Sequence, residues 1–379
     1  MKKKICILGS TGSIGVSTLD IIAKNDKDFS VILLSGNSNY KLLISQAVKF
    51  KPKYIYTNNY FLIDKIKFFC KKNKIKLIND LNLLKKIKFD ITVSAISGIA
   101  GLLPTLNVIK FSKKILIANK ESIICGWKFI DRELKEHNCL FTPIDSEHFS
   151  ILNLIKNQNK NFIRYIYLTA SGGPFFNKTI NLKRVTPTQA AKHPKWKMGK
   201  KISIDSANLM NKILEVIEAS LIFNLPISTF KIIIHPQSLV HAIVELKNGL
   251  SSMLHHNNDM MIPIANSLYD NSFVNKKISN QFNFKKKLFF YNIDAKKNPS
   301  IKILKINNAL NEVGFILINV LNEILVERFI QRKILFSDIT VKLLAILNSK
   351  IVKNYLKISR IRHINDVFRT YNFSRSLVI

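Results

Sequence analysis

The first part of the chain alternates short apolar runs with longer segments of helical spacing. Residues 4–8, 29–34, 54–57, 91–96 and 114–118 read as strands, and 75–78 as a weaker one. Between them, 16–24, 40–50, 61–73 and 102–111 place apolar residues at helical intervals. Strand and helix in strict alternation predict a doubly wound parallel sheet with a site at the strand C-terminal ends. Later the pattern changes. Residues 141–144, 162–168 and 231–234 read as strands, and 242–246 and 250–254 as a hairpin turned by Asn248-Gly249. From 301 to 350 the period is helical throughout. The predicted fold class is therefore α/β, followed by an α+β domain and a C-terminal all-helical domain.

The most unusual pattern is KKISIDSANLMNKILE at 200–215. Ser206 is a candidate N-cap, with a helix running from Ala207. Asn208, Asn211, Lys212 and Glu215 are spaced to share one face, and the remaining positions are mostly apolar. A narrow polar stripe on an apolar helix fits a helix sunk in protein with its polar side facing a pocket. A semi-buried helix with a few solvated side chains fits the same pattern.

Charge adds one question. The chain has 379 residues and a formal net charge of +35. Its lysines are spread along the whole length, with no basic array interleaved with aromatics and no zinc-finger spacing. A general drift toward Lys, Ile and Asn accounts for the charge, so no specific nucleic-acid partner is expected. Non-specific binding to polyanions at low salt is. Cys6, Cys70, Cys125 and Cys139 form no C-x-x-C pair and read as reduced thiols. No signal peptide and no apolar stretch of about 20 residues is present, which predicts a cytoplasmic protein without a membrane partner.

Candidate chemistry begins at Gly9-Ser-Thr-Gly12-Ser-Ile-Gly15, between a strand and a helix. That context suits a dinucleotide, with Gly12 letting the backbone approach a pyrophosphate at a helix N-terminus. A tight turn without ligand is the alternative. After the second strand stands Ser35-Gly36-Asn37-Ser38-Asn39, with no acid to repel a 2′-phosphate, which favours NADP over NAD. Lys120 and Glu121 follow a later strand, where a ligand would lie. Asp145 and Glu147 are two residues apart at a strand end and offer hard oxygen ligands to Mg²⁺ or Mn²⁺. An acidic pair favoured at a helix N-terminus explains them equally simply. His148 is expected to pack or hydrogen-bond. The loop Thr169–Pro174 is rich in donors, and the polar segment 177–199, with Trp196 and Met198, reads as a lid or as a surface connection. The expected organisation is a Rossmann-like domain over 1–144 and a catalytic α+β domain over 145–274 with a lid near 171–200. A linker over 275–300 and a helical domain over 301–379 complete it.

These motifs, in this order, resemble the 1-deoxy-D-xylulose 5-phosphate reductoisomerase family. The matching segments are GSTGSIG at 9–15, AGLLPT at 100–105, ANKES at 118–122, DSEH at 145–148 and ASGGPF at 170–175. HPKWKMGKKISIDSA at 193–207, MNK at 210–212 and HPQS at 235–238 match as well. The helical region matches more loosely, around Asn322-Glu323 and 336–339. The resemblance implies a homodimeric, NADPH-dependent oxidoreductase of non-mevalonate isoprenoid biosynthesis. It would isomerise and reduce 1-deoxy-D-xylulose 5-phosphate, a phosphorylated sugar, to 2-C-methyl-D-erythritol 4-phosphate with one divalent cation (Mg²⁺, Mn²⁺ or Co²⁺). It implies cofactor contacts at Thr11, Gly12, Ser13, Ile14, Asn37, Ser38, Asn39, Asn119, Glu121 and Gly199. Asp145, Glu147 and Glu215 would hold the metal. Lys120, Ser146, Glu147, Ser171, His193, Trp196, Ser206, Asn211, Lys212 and Glu215 would meet the substrate, with Lys120, Glu147, His193 and Glu215 catalytic. Three departures from the family stand out: Asn37-Ser38 where a Lys is usual, Ile213 in place of a Gly, and His256–Met260 in place of Gly-x-Pro-Asp-Met. A different Rossmann-type NADP oxidoreductase, acting on a phosphorylated or amino-acid-derived aldehyde, is the alternative; it needs no three carboxylates.

Overall fold

The structure is a computed structural model that describes residues 1–84, 87–195, 199–274, 287–306 and 309–378. Two compact units divide the chain. One is Met1–Phe149 with the described residues of 259–279; the other is Ser150–Asn258 with the described residues of 280–379.

The first unit runs β1 (Lys3–Leu8), α1 (Ser13–Lys24), β2 (Phe29–Ser35), α2 (Tyr40–Phe50), β3 (Tyr54–Tyr56), α3 (Tyr60–Lys72) and β4 (Lys76–Ile78). It continues with β5 (Phe89–Ser94), α4 (Leu102–Ile109), β6 (Ser112–Ile117), α5 (Lys120–Glu136) and β7 (Leu140–Pro143). The seven strands lie in the order β4-β3-β2-β1-β5-β6-β7, and each neighbouring pair is parallel. Ile5, Cys6, Ile7 and Leu8 of the central strand are all fully buried. That explains its unbroken apolar run, since a sheet covered on both faces has no solvent side to alternate with. Winding reverses between neighbours β1 and β5, so the switch point of the fold lies at their C-terminal ends.

A helix from much later in the chain, α10 (Met261–Leu268), completes this unit by packing on α1. Ile264, Ala265 and Leu268 join the same buried cluster as Ile5 and Leu19. Lys114 Nζ donates to Ser267 O at 2.6 Å, and Lys3 Nζ donates to Leu268 O at 3.5 Å, so cations meet the last carbonyls of the helix. Residues 259–274, expected in the catalytic domain, thus pack with the first unit. The reason is long-range apolar contact, which strand and helix periodicity does not carry.

In the second unit, β8 (Ile163–Ala170), β9 (Phe230–Ile234), β10 (Val240–Leu246) and β11 (Ser251–His255) form a sheet in the order β11-β10-β8-β9. The expected Asn-Gly hairpin is present, with Glu245 opposite Ser251. The helix α6 (Ser146–Ile155) starts within the first unit and ends in the second, which continues with the short α7 (Pro187–Ala190), α8 (Lys200–Ala207) and α9 (Met210–Phe223). The helical region of the C-terminal part comprises α11 (Glu312–Ile330), α12 (Phe336–Asn348), α13 (Lys350–Ile358) and α14 (Ile364–Ser376). Its centre is α11, buried from Val313 through Asn322 without interruption and packed against α8, α9, α12 and α14. It joins the α+β elements in one compact unit. Of the expected linker, 275–286 lies outside the described residues, and Pro299–Lys305 is a 3-10 helix.

The stretch 200–215 differs from expectation. Ser206 is not an N-cap; it lies in the last turn of α8, and the chain breaks at Asn208-Leu209 before α9 begins. Leu209 takes φ 67°, a left-handed conformation that a leucine adopts only when its surroundings enforce it. They do: its side chain is buried, and Asn208 Oδ1 accepts from Met210 N at 3.1 Å. Asn208 therefore leaves the polar stripe, which reduces to Asn211, Lys212 and Glu215 on α9.

Candidate active site

In the first unit the Gly-rich turn sits at the end of β1. Gly9 has φ 83°, and a Cβ added there would lie 2.5 Å from Ala95 O. Gly15 packs α1 onto the turn so closely that a Cβ would lie 2.4 Å from Gly9 O. Gly12 is the N-cap of α1, with no side-chain cap and no acid in the first turn. The helix starts at Ser13, three residues earlier than expected, so Ser13 and Ile14 belong to its open first turn. Such a terminus presents backbone N–H groups to an anion. The turn is held from beside it: Ser35 Oγ accepts from Gly9 N at 2.7 Å, and Ser10 Oγ donates to Gln46 Oε1 at 2.8 Å. Asn37, Ser38 and Asn39 form an exposed loop at the end of β2; Asn39 caps α2, and Asn37 O accepts from Asn59 Nδ2 at 2.6 Å. Asn119 is buried, caps α5 through Ser122 N at 2.9 Å, and donates to Gly98 O at 2.9 Å and to Ile96 O. Its side chain therefore braces the β5 loop. Glu121 lies in the first turn of α5.

Asp145 and Glu147 stand at the N-terminus of α6. Glu147 N donates to Asp145 Oδ1 at 3.2 Å, so the aspartate caps the helix. Ser146 Oγ donates to Glu147 Oε2 at 2.5 Å. Lys120 Nζ lies 3.5 Å from Asp145 Oδ2, and the fully buried His148 places Nδ1 3.2 Å from Asp145 Oδ1. The acidic pair is thus both a helix-terminus pair and a hard-oxygen donor set beside one lysine.

In the second unit, Lys212 Nζ donates to Glu215 Oε2 at 2.6 Å and Asn211 Nδ2 to Oε1 at 2.5 Å, with the Glu215 side chain 1 % exposed. Near it, Ser171 Oγ and His193 Nε2 are hydrogen-bonded at 3.0 Å. Burial, and then the Lys212 ammonium, push the His193 imidazole down to about 4, so the ring is neutral at ordinary pH. Gly173, at φ 71°, lets its loop approach the end of α8: a Cβ there would lie 2.9 Å from Ser206 O. Ser171, His193, Ser206, Asn211, Lys212 and Glu215 are therefore linked through contacts within one unit. Gly199 is the N-cap of α8, with open space where a side chain would project. Trp196 and Met198 lie outside the described residues.

Comparison with known proteins decides the family. Residues 5–126 match the family model for 1-deoxy-D-xylulose 5-phosphate reductoisomerase. Residues 141–223 and 256–371 match the models for two C-terminal domains of the same enzyme. A 1-deoxy-D-xylulose 5-phosphate reductoisomerase of Pelagibacter ubique is 45 % identical over 382 residues, covering 96 % of each chain. The chain belongs to the 1-deoxy-D-xylulose 5-phosphate reductoisomerase family. Among solved structures, the Zymomonas mobilis reductoisomerase in complex with NADPH is 32 % identical with a TM-score of 0.86, covering 100 % of this chain and 98 % of that one. A reductoisomerase in complex with NADPH, fosmidomycin and magnesium is 30 % identical with a TM-score of 0.88, covering 99 % and 98 %. Membership in the reductoisomerase family sets aside the alternative of an unrelated Rossmann-type dehydrogenase.

Sequence reasoning missed several contacts around this candidate site. Ser35 and Gln46 pin the Gly-rich turn, and Asp205 and Asn322 meet between α8 and α11 at 2.8 Å. For Asp205 a signal existed: a lone carboxylate in an otherwise apolar stretch, ISIDSA. Asn322 stood in a loose family match and Ser35 in the stretch after β2, but nothing in the sequence pointed to their contacts or to Gln46, because the partners lie far along the chain.

Proposed function

We propose that the chain converts 1-deoxy-D-xylulose 5-phosphate to 2-C-methyl-D-erythritol 4-phosphate, with NADPH as reductant and one divalent cation. The observation that carries the proposal is the pair of carboxylate–lysine constellations, Asp145 with Lys120 and Glu215 with Lys212, in a chain of this family. When bound, the cation polarises the substrate carbonyl during the C–C rearrangement and NADPH supplies the hydride. Asp145, Glu147 and Glu215 are the proposed ligands. All offer hard oxygens and none a thiolate, which suits Mg²⁺ or Mn²⁺.

The chain's own groups do the rest. The open N-terminus of α1, from Gly12 through Ile14 with Thr11 beside it, receives the pyrophosphate. Asn37, Ser38, Asn39, Glu121 and Gly199 complete the cofactor contacts, with Asn119 holding the β5 loop from behind. No acid follows β2, so a 2′-phosphate meets no repulsion there. Ser171, Ser206, Asn211 and Lys212 hold the substrate phosphate, the lysine as a point charge and the others as donors. A neutral His193, held by Ser171, donates or accepts without adding charge. Lys120 and Ser146 orient the substrate at the carboxylates, and Trp196 covers it. A homodimeric state and a cytoplasmic compartment belong to the same reading. Among the described residues no helix is long and apolar enough to cross a membrane. Turnover of 1-deoxy-D-xylulose 5-phosphate with NADPH, lost on chelation and restored by Mg²⁺ or Mn²⁺, tests the proposal.

A further inference from the structure

We infer that Asp205 and Asn322 are positioning residues that orient α8, and with it Ser206, for the substrate phosphate. The inference rests on the function proposed above. Asp205 is 1 % exposed and Asn322 is fully buried. Asn322 Nδ2 donates to Asp205 Oδ1 at 2.8 Å, and Lys201 Nζ lies 3.2 Å from Asp205 Oδ2. Burying a carboxylate is strongly unfavourable unless charged and hydrogen-bonding partners meet it. A negative charge one residue from a phosphate contact also opposes phosphate binding. A carboxylate in that place therefore needs a geometric role.

That role follows from the length of α8. Eight residues are too few for a helix to hold its own orientation. Its N-cap is Gly199, with no side-chain cap, and its C-terminal end is the break at Asn208-Leu209. By contrast, α11 is buried along most of its length and also packs against α9, α12 and α14. The Asp205–Asn322 hydrogen bond ties the short helix to the long one. Two further contacts hold the same end of α8: Ser300 Oγ donates to Asn208 O at 2.7 Å, and Gly173 packs on Ser206 O. Ser206, one position beyond Asp205, then points about 100° away round the helix, off the buried face.

Steady-state kinetics on the full-length enzyme test this. Asn322→Leu keeps the branched side-chain shape, with a larger volume, and removes the donor. It should raise KM for 1-deoxy-D-xylulose 5-phosphate about tenfold, equivalent to about 1.4 kcal/mol. Competitive inhibition by inorganic phosphate should weaken by the same factor, while kcat and KM for NADPH stay within about twofold. Asn322→Ser, polar but too short to reach Asp205, should give the same split and serves where the leucine variant does not fold. Asp205→Asn keeps an acceptor for Asn322 and should hold the substrate KM within about threefold. The inference is overturned if the Asn322 variants melt earlier but keep the wild-type substrate KM, since the contact then only stabilises the fold. It is equally overturned if Asp205→Asn tightens substrate binding more than threefold, which would make the carboxylate an electrostatic rather than a geometric element. A wild-type enzyme inactive on this substrate overturns the functional reading and this inference together. An active wild type with unchanged variants overturns the inference alone.

Discussion

Glu215 is buried on α9 with both carboxylate oxygens on protein donors, Asn211 and Lys212. The proposed function makes this carboxylate a cation ligand through its anionic oxygens. Glu215→Gln changes one atom and removes that charge. It should lower kcat by about 10³-fold, the scale for losing one preorganised electrostatic group, and leave NADPH affinity within about twofold. Turnover and a fluorescence titration with NADPH read the two effects separately; loss of both would make Glu215 structural. His193 carries a second prediction. Its folded value of about 4 lies below that of an unfolded histidine, near 6.5. Below pH 6.5 the unfolded state therefore binds the extra proton first, so the stability His193 contributes is full above that pH and declines toward 4. The melting temperature of wild type should fall more steeply than that of His193→Gln between pH 6.5 and 4. The candidate site residues are motif positions that the sequence alone offers as candidates. Their partners were not legible, because spacing along the chain does not say that Ser171 meets His193 or that Asp145 meets Lys120.

At the scale of elements, the alternation of strands and helices in the first unit was readable as far as β6. Helix α2 spans the expected 40–50, and the other elements expected there differ at their ends by a few positions, but α5 and α10 were not expected at all. The elements that were read each carry a clear local apolar period; α5, with charged residues throughout its length, masks its own. The misreading at 200–215 has a different cause. The break at Leu209 needs a left-handed leucine, which no local propensity favours and which packing in the second unit enforces. The Gly-rich turn gives the prediction at this scale. Gly9→Ala combines a positive φ with a Cβ 2.5 Å from Ala95 O. It should destabilise the fold by about 2–4 kcal/mol and weaken NADPH binding, as read by denaturant melts and by titration. Near-wild-type values for both would mean that the β1 and β5 loops need not meet so closely. Ile213, which departs from the family, is fully buried. As a β-branched residue it still suits a helix better than glycine does, so the departure stabilises α9.

At the scale of the molecule, the +35 charge carries the prediction of a salt-sensitive, non-specific attraction to polyanions. Retention on heparin should fall steadily as salt rises from 50 to about 200 mM, and NADPH turnover at fixed salt should not respond to added duplex DNA. All four cysteines are buried, and burial pushes the thiols of Cys70 and Cys139 up to about 11 and 12. Composition and period alone could not place 259–274 with the first unit, because that packing joins segments far apart along the chain. The most direct test of the central claim is NADPH oxidation, followed by absorbance, on adding 1-deoxy-D-xylulose 5-phosphate to chelator-treated protein. The result expected is no oxidation without metal, and steady oxidation with 2-C-methyl-D-erythritol 4-phosphate as product once Mg²⁺ or Mn²⁺ is restored. Absence of turnover with every divalent cation, or equal turnover with none, would contradict it.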